Sequence, residues 1–284
     1  MIVKWHAVRA VGFILRRLPK WYRFRVYSRL VGSPFAPGIF NNWIRRPIQP
    51  HKYVMNLNMA DWMERFAAIG GMFYELEATL TVERCVKDGD VFIDVGGNVG
   101  FISLTASRIV GARGKVFYVE PNAGLRARFA ETLSANGITN IEIVPAGFGA
   151  TEGEMELQEG DHHGVGKLVP GAGVNVVRGD VLLPGIPTDA PLFVKIDVEG
   201  FEEFALAGMA EIRARPRTQF LVEVTDVWLK ERGGSAASLI ATMAADGYAA
   251  YLPIALRDGS LEFRSVARPL PQNQYDLLFT RSLS

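Results

Sequence analysis

The chain has 284 residues, 49% of them apolar and 21% charged, which suits one substantial core of ordinary globular composition. Its lone cysteine, Cys85, excludes an intramolecular disulfide and any Cys-rich zinc or iron–sulfur site, and fits a reducing cytoplasm. The net charge of +1 conceals an asymmetry: residues 1–60 hold 11 Lys and Arg with no Asp or Glu, leaving 20 basic against 30 acidic residues in the remainder.

Residues 1–30 interleave Trp5, Val8, Val11, Phe13, Ile14, Leu18, Trp21 and Tyr22 with Arg9, Arg16, Arg17, Lys20, Arg23, Arg25 and Arg29. This pattern predicts a basic amphipathic helix, or a pair broken at Pro19. Such a segment suits peripheral contact with an anionic membrane or glycolipid, here at the inner face of the membrane. The alternative is that the apolar stripe packs onto the body of the protein. No run approaches the roughly 18 apolar residues that span a bilayer, and Ala10 to Leu15 is short for a secretory leader. Pro34, Pro37, Pro47 and Pro50 with Gly32 and Gly38 make residues 31–50 a turn-rich connector. The arm and connector therefore occupy 1–50 and the catalytic body 51–284.

In the body, Trp62, Phe66, Ile69, Leu76 and Leu80 recur at helical spacing around Gly70-Gly71, predicting two helices before the first core strand. From Asp90 short apolar runs alternate with helical stretches: strand 91–95, helix 99–110, strand 115–120, helix 122–136 and strand 141–145. After a loop-rich segment at 149–190 come strand 192–198, helix 200–214, strand 220–224 and helix 234–246. This βαβ alternation specifies a parallel sheet covered by helices on both faces. Strands 248–254 and 275–280, joined by a polar link containing Asp258-Gly259, close the chain as a hairpin-like pair.

The run Asp90-Val91-Phe92-Ile93-Asp94-Val95-Gly96-Gly97-Asn98-Val99-Gly100 reads as a buried strand ending in a carboxylate and a glycine-rich turn that opens a helix. Ligands of open α/β sheets lie beyond the carboxyl ends of the strands, which places a nucleotide-like cofactor here. Gly96 and Gly97 permit close approach of backbone to ligand, and Gly100 lets the helix pack against the strand. A dinucleotide site wants G-x-G-x-x-G, but position 98 is Asn and Asp94 would repel a pyrophosphate. That carboxylate instead suits the cationic amino-acid end of S-adenosylmethionine. Glu120, ending the next strand before Pro121, can accept hydrogen bonds from both ribose hydroxyls.

Phe92 to Gly100, Val119-Glu120-Pro121 and Val194-Lys195-Ile196-Asp197-Val198-Glu199-Gly200-Phe201-Glu202 together closely resemble the FkbM family of methyltransferases. Asn136, Gly153, Asp180-Val181-Leu182-Leu183, Leu57-Asn58 and Tyr74-Glu75 are similar to further family positions, so the resemblance covers roughly residues 55–280. It implies a class I methyltransferase (Rossmann-like) fold, with seven strands of which the last inserts antiparallel, and S-adenosylmethionine-dependent O-methylation of a sugar, surface glycan or related natural product. It places Asp94, Gly96, Gly97, Asn98, Gly100, Glu120 and Pro121 around the cofactor. Gly97 stands where the family commonly has Ala, and Ala146-Gly147-Phe148-Gly149 departs from the family at the third-strand exit.

An alcohol is a poor nucleophile until a base accepts its proton or a metal polarises its oxygen. Asp197 and Glu199, after the fourth strand, can accept that proton or orient the acceptor; a salt bridge from Asp197 to Lys195 and a helix N-terminal role for Glu199 and Glu202 are the structural alternatives. His163, in Gly160-Asp161-His162-His163-Gly164, has the right unperturbed pKa for a base near neutrality. The spacing of Asp161, His162 and His163 does not make a metal site, and none is expected. Glu223 lines the same edge or is solvated, and Glu75 makes a surface ion pair or enters the pocket. A nucleic-acid methyltransferase is the first rival reading, disfavoured because Asp197-Val198-Glu199-Gly200 is acidic and lacks an aromatic platform for a flipped base. A nicotinamide oxidoreductase is disfavoured by the glycine spacing, and a non-catalytic membrane-docking module by the intact Asp94, Glu120 and Asp197.

Overall fold

The computed structural model describes residues 11–30, 43–48, 51–71, 75–158 and 166–283. Its centre is β3 (Val91–Val95), every residue of which is buried. A strand covered on both faces has no polar side to show, which is why Val-Phe-Ile-Asp-Val reads as a continuous run and not as an alternation. β3 is flanked in parallel by β4 (Lys115–Val119) and β10 (Leu192–Ile196), with β5 (Ile141–Val144) beyond β4 and β11 (Thr218–Thr225) beyond β10. β14 (Gln274–Thr280) runs antiparallel between β11 and β12 (Ala249–Ala255).

The sheet has eight strands, in the order β13-β12-β14-β11-β10-β3-β4-β5, one more than the expected seven. The extra strand is β13 (Leu261–Val266), which forms an antiparallel hairpin with β12. Asp258-Gly259 lies in that hairpin's turn, where Gly259 takes φ +87°. The polar link therefore folds back as a strand of its own, and β12 meets the last strand only over Ala249 to Tyr251.

Helices α3 (Leu76–Cys85) and α4 (Phe101–Val110) cover one face, where Ala78, Val82, Ile102 and Ala106 pack with Phe92, Phe193, Leu221 and Leu278. On the other face α6 (Glu202–Ala207), α7 (Ala210–Ala214) and α9 (Ala236–Ala245) bury Leu206, Ile212, Leu239 and Met243 against Ile93, Val194, Phe220 and Phe279. Two helices stand where one was expected over 200–214, the first ending at Gly208, where a Cβ would come within 2.0 Å of the Gly149 carbonyl oxygen. Asp180 then starts α7 afresh, accepting from the amides of Glu211 and Ile212 at 3.2 and 3.0 Å. Asp226–Glu231 forms a further short helix, α8, that the apolar periodicity did not reveal.

The loop-rich 149–190 segment is in fact a second sheet with a 3₁₀ segment at Gly179–Gly185. Its strands, in the order β6-β9-β7-β8, are β6 (Gly147–Phe148), β7 (Gly153–Gln158), β8 (Lys167–Pro170) and β9 (Val174–Val177). Among the described residues its small core buries Leu168, Val176 and Phe201, while Glu154 and Glu156 face water and no apolar run marks the strand.

The division at His51 cuts through a unit. Within the expected connector, β1 (Trp43–Ile48) pairs with β2 (Tyr53–Asn58), from Trp43 opposite Asn58 to Ile48 opposite Tyr53. Pro47 is tolerated because β1 is an edge. The hairpin is fastened to α5 (Ala123–Asn136) by Asn136, which accepts from the Val54 amide at 2.8 Å and donates to its carbonyl at 2.9 Å. The arm breaks at Pro19 as expected, with helical residues 11–15 followed by α1 (Lys20–Leu30). Leu15 and Tyr27 are fully buried, sharing a core with Phe66, Leu57, Phe129 and Tyr118. Part of the arm's apolar stripe therefore packs on the body. Residues 1–10 lie outside the described residues.

Candidate active site

The turn after β3 is held by the backbone of its neighbours. The amides of Gly96 and Gly97 donate to the Val119 carbonyl at 3.0 and 3.1 Å, and the Asp197 amide donates to Val95. Gly96 has φ +83°, and a Cβ there would sit 1.9 Å from the Asp197 carbonyl oxygen; one on Gly97 would sit 2.3 Å from the Tyr118 ring. The protein's own atoms thus demand these two glycines, whatever ligand the turn also admits. Gly100 differs from expectation in its partner: it makes room for the Phe129 ring of α5, 2.0 Å from where its Cβ would lie, and not for a strand.

Glu120 organises the next turn. Its buried carboxylate accepts from the Asn98 amide at 2.9 Å and the Asn122 amide at 2.8 Å, joining the β3 and β4 exits. Burial pushes its pKa up to about 7, against the pull of those two amides. Asn98, at φ +49°, presents its carbonyl to the Tyr118 hydroxyl. Arg126 donates to the carbonyls of Glu120 and Pro121, so Pro121 holds the turn through its backbone.

Asp94 is fully buried. Ser103 donates to its Oδ2 at 2.6 Å, while Oδ1 has no partner. Burial raises its pKa, opposed by Lys195 and Ser103. Lys195 stands opposite Asp94 in the β3–β10 register and is itself buried. Its ammonium is 2.9 Å from Asp197 Oδ2 and 3.4 Å from Glu75 Oε1. Burial works against that charge, but Asp197, Glu75 and Asp94 outweigh it and raise the lysine well above its usual range. The salt bridge weighed for Asp197 is therefore present.

Glu199 is not part of that bridge. It adopts a left-handed φ of +54°, followed by Gly200 at +93°, where a Cβ would lie 2.8 Å from the Trp228 carbonyl oxygen. Glu202, the first residue of α6, closes this turn by accepting from the Val198 and Gly200 amides at 3.3 and 3.1 Å. The helix N-terminal role falls to Glu202, whereas Glu199 Oε2 is buried without a partner. Burial, then Asp197 and Glu202, pushes Glu199 up to about 9.

Glu223 on β11 faces Asp276 on β14 in direct register. Like charges opposite one another are unfavourable, and Asp276 adds to burial and Asp197 in raising Glu223. Burial and Asp197 raise Glu223 well above the usual carboxyl range, and burial and Glu75 push Asp276 up to about 7. Gln274 donates to Glu223 at 2.6 Å. Sequence reasoning gave Lys195 only as a partner for Asp197 and did not single out Asp276, though each had a signal: a charge inside an otherwise apolar run that reads as a buried strand. His163 lies outside the described residues. Among the described residues no three His, Cys, Asp or Glu side chains are grouped to hold a metal ion.

A glycine turn between two strand-end carboxylates, at the carboxyl edge of a mostly parallel sheet with one inserted antiparallel strand, defines a class I methyltransferase fold. Residues 94–250, more than half of the chain, match the model of the methyltransferase FkbM domain. The protein belongs to this FkbM methyltransferase family, whose cofactor is S-adenosylmethionine.

Similar solved structures include an FkbM methyltransferase from Methylobacillus flagellatus KT, at 15% identity and TM-score 0.43, covering 78% of this chain and 54% of that one. A precorrin-6y C5,15-methyltransferase from Geobacter metallireducens GS-15 shows 16% identity and TM-score 0.42 over 73% of this chain and 87% of its own. An S-adenosylmethionine-dependent O-methyltransferase from Thermotoga maritima shows 15% identity and TM-score 0.41 over 75% and 67%. No curated protein matches the chain in sequence.

Proposed function

We propose that the protein methylates a hydroxyl of a sugar, a surface glycan or glycolipid, or a related natural product. The observation that supports this best is the carboxyl-rich edge beyond β10 and β11: Asp197 pairs with the buried Lys195, Glu199 follows two residues on, and Glu223 stands opposite Asp276. Carboxylates accept hydrogen bonds from hydroxyls, and protonated carboxyls donate to ether and hydroxyl oxygens, so this edge can grip a polyhydroxylated acceptor in either state.

The chain's own residues fit the cofactor. Asp94 Oδ1, buried and without a partner, is an acceptor for the ammonium end; the Gly96–Asn98 backbone lines the turn; and Glu120 retains lone pairs for the ribose diol. When bound, S-adenosylmethionine supplies an electrophilic methyl group. Asp197, with Oδ2 held by Lys195, receives the acceptor's hydroxyl at Oδ1 and takes its proton. Glu199, protonated near neutrality, donates to a second oxygen and orients the acceptor.

The test is mass spectrometry of glycans and glycolipids from cells with and without the gene, followed by methylation of the unmethylated species by the purified protein. Loss of one methyl increment from a hydroxyl, restored in vitro, supports the reading. Methyl transfer confined to nitrogen, carbon or nucleic acid overturns it.

A further inference from the structure

Residues 11–30 have two faces with different chemistry. The inner face is committed to the body: besides the buried Leu15 and Tyr27, Arg16 donates to the Ile69 carbonyl at 3.1 Å and Arg23 to the Gly70 carbonyl at 3.3 Å. Those are the last carbonyls of α2 (Trp62–Gly70), which lack partners within their own helix and carry the negative end of its dipole. Arg65 donates to the Tyr27 hydroxyl at 3.0 Å, completing the attachment.

The outer face is apolar and cationic together. Phe13 and Ile14 are each 55% exposed, and the Arg17 guanidinium lies 3.3 Å from the Phe13 ring centroid. In α1 the exposed Tyr22, Arg25 and Arg29 recur at i, i+3 and i+7, on the side away from Arg23 and Tyr27, with Lys20 exposed at its start. No acid occurs before Asp61 to neutralise these charges.

We propose that this outer face docks the enzyme on an anionic lipid bilayer, with Phe13 and Ile14 at the boundary of headgroups and acyl chains and Arg17, Lys20, Arg25 and Arg29 on the lipid phosphates. A bilayer satisfies both halves of the pattern, since it offers negative charge and apolar depth a few ångströms apart. A nucleic acid offers the charge alone. A second copy of the same face would set Arg17 and Lys20 against like charges. The docked segment is also joined to the catalytic edge: the α2 carbonyls that Arg16 and Arg23 cap lie five or six residues before Glu75, whose carboxylate pairs with Lys195. The inference does not depend on which hydroxyl is methylated.

The test is co-sedimentation of the full chain with phosphatidylcholine vesicles, with and without about one-third phosphatidylglycerol. A chain cut at His51 would lose β1 and uncover the contacts of Leu15 and Tyr27, so substitutions are used instead. The full chain should bind the anionic vesicles and be released by raising salt to about 0.5 M, where screening shortens to a few ångströms. Arg17→Glu/Lys20→Glu/Arg25→Glu/Arg29→Glu should weaken binding by about 10²-fold or more. Phe13→Ser/Ile14→Ser should weaken it by about 10-fold. Both variants should keep the wild-type melting temperature and affinity for S-adenosylmethionine. Equal binding to both vesicle types, no binding to either, or unchanged binding by both variants overturns the proposal. So does RNA that displaces the vesicles and binds independently of Phe13 and Ile14, or a dimer that Phe13→Ser/Ile14→Ser dissolves.

Discussion

Replacing Glu120 by Gln tests whether the carboxylate that joins the β3 and β4 exits also holds the cofactor. Two backbone amides, of Asn98 and Asn122, point at its two oxygens at 2.9 and 2.8 Å. The glutamine keeps one acceptor and turns a donor toward the other amide, so a buried donor loses its partner at a cost of about 1–3 kcal/mol in stability. The ribose diol loses a charged acceptor, worth about 1.5–3 kcal/mol, so the Kd for S-adenosylmethionine should rise by about 10- to 10²-fold. The effect should depend on pH. Because burial holds Glu120 near 7, the wild-type carboxyl must shed its proton before accepting the diol in acid but not in base. Wild-type affinity should therefore improve between about pH 6 and 8, and the variant's should stay flat. Titration calorimetry at both pH values reads this directly. A glutamine variant that binds as tightly as wild type at the higher pH would refute the assignment, and an unchanged melting temperature would refute the role in joining the turns.

Asp197→Asn should cut turnover by about 10²-fold or more with cofactor affinity little changed, measured by single-turnover methyl transfer; normal turnover would remove Asp197 from proton transfer. Glu199→Gln should keep most activity near neutrality, because an amide still donates, whereas Glu199→Ala should lose it; equal loss in both would mean that Glu199 acts ionised. Glu120, Glu202 and Asp276 have folded pKa values of about 7 and Glu199 of about 9, all above those of the unfolded chain. Their stabilisation is complete below about pH 4 and is lost as pH rises through the folded values, so the melting temperature of the ligand-free protein should fall from about pH 5 to 9. A melting temperature that rises across this window would contradict it. A bound cation lowers these pKa values, so S-adenosylmethionine binding near neutrality should release protons, seen as a dependence of binding heat on buffer ionisation enthalpy. Gly96→Ala should destabilise the fold by about 2–4 kcal/mol, combining a left-handed φ with the Asp197 carbonyl 1.9 Å away; a denaturation midpoint like wild type would be the contrary result.

The alternation from Val91 to Val224, the glycine turn and the acids at 94, 120, 197 and 199 were legible because each is a local pattern: a buried strand is apolar throughout, and a strand-end carboxylate interrupts it. The second sheet was not legible, since strands over so small a core leave Glu154 and Glu156 in water and show no apolar run. β1 was hidden by Pro47, which marks a turn in sequence yet is tolerated on an edge strand. The amphipathic pattern of the arm was visible, but not which of its arginines cap α2 and which stay in water.

The sequence by itself determined the class of fold and the cofactor turn, because hydrophobic periodicity and glycine spacing act over a few residues. Only the tertiary structure decided how the site is charged. Glu75, Asp94, Lys195, Asp197, Glu223 and Asp276 lie on or beside four strands and the start of α3, and strand register sets Lys195 opposite Asp94 and Glu223 opposite Asp276. Burial at that junction then raises Asp94, Glu223 and Asp276, while Lys195 remains the cation beside Asp197 and Glu75, a consequence of desolvation that no single stretch of the chain contains.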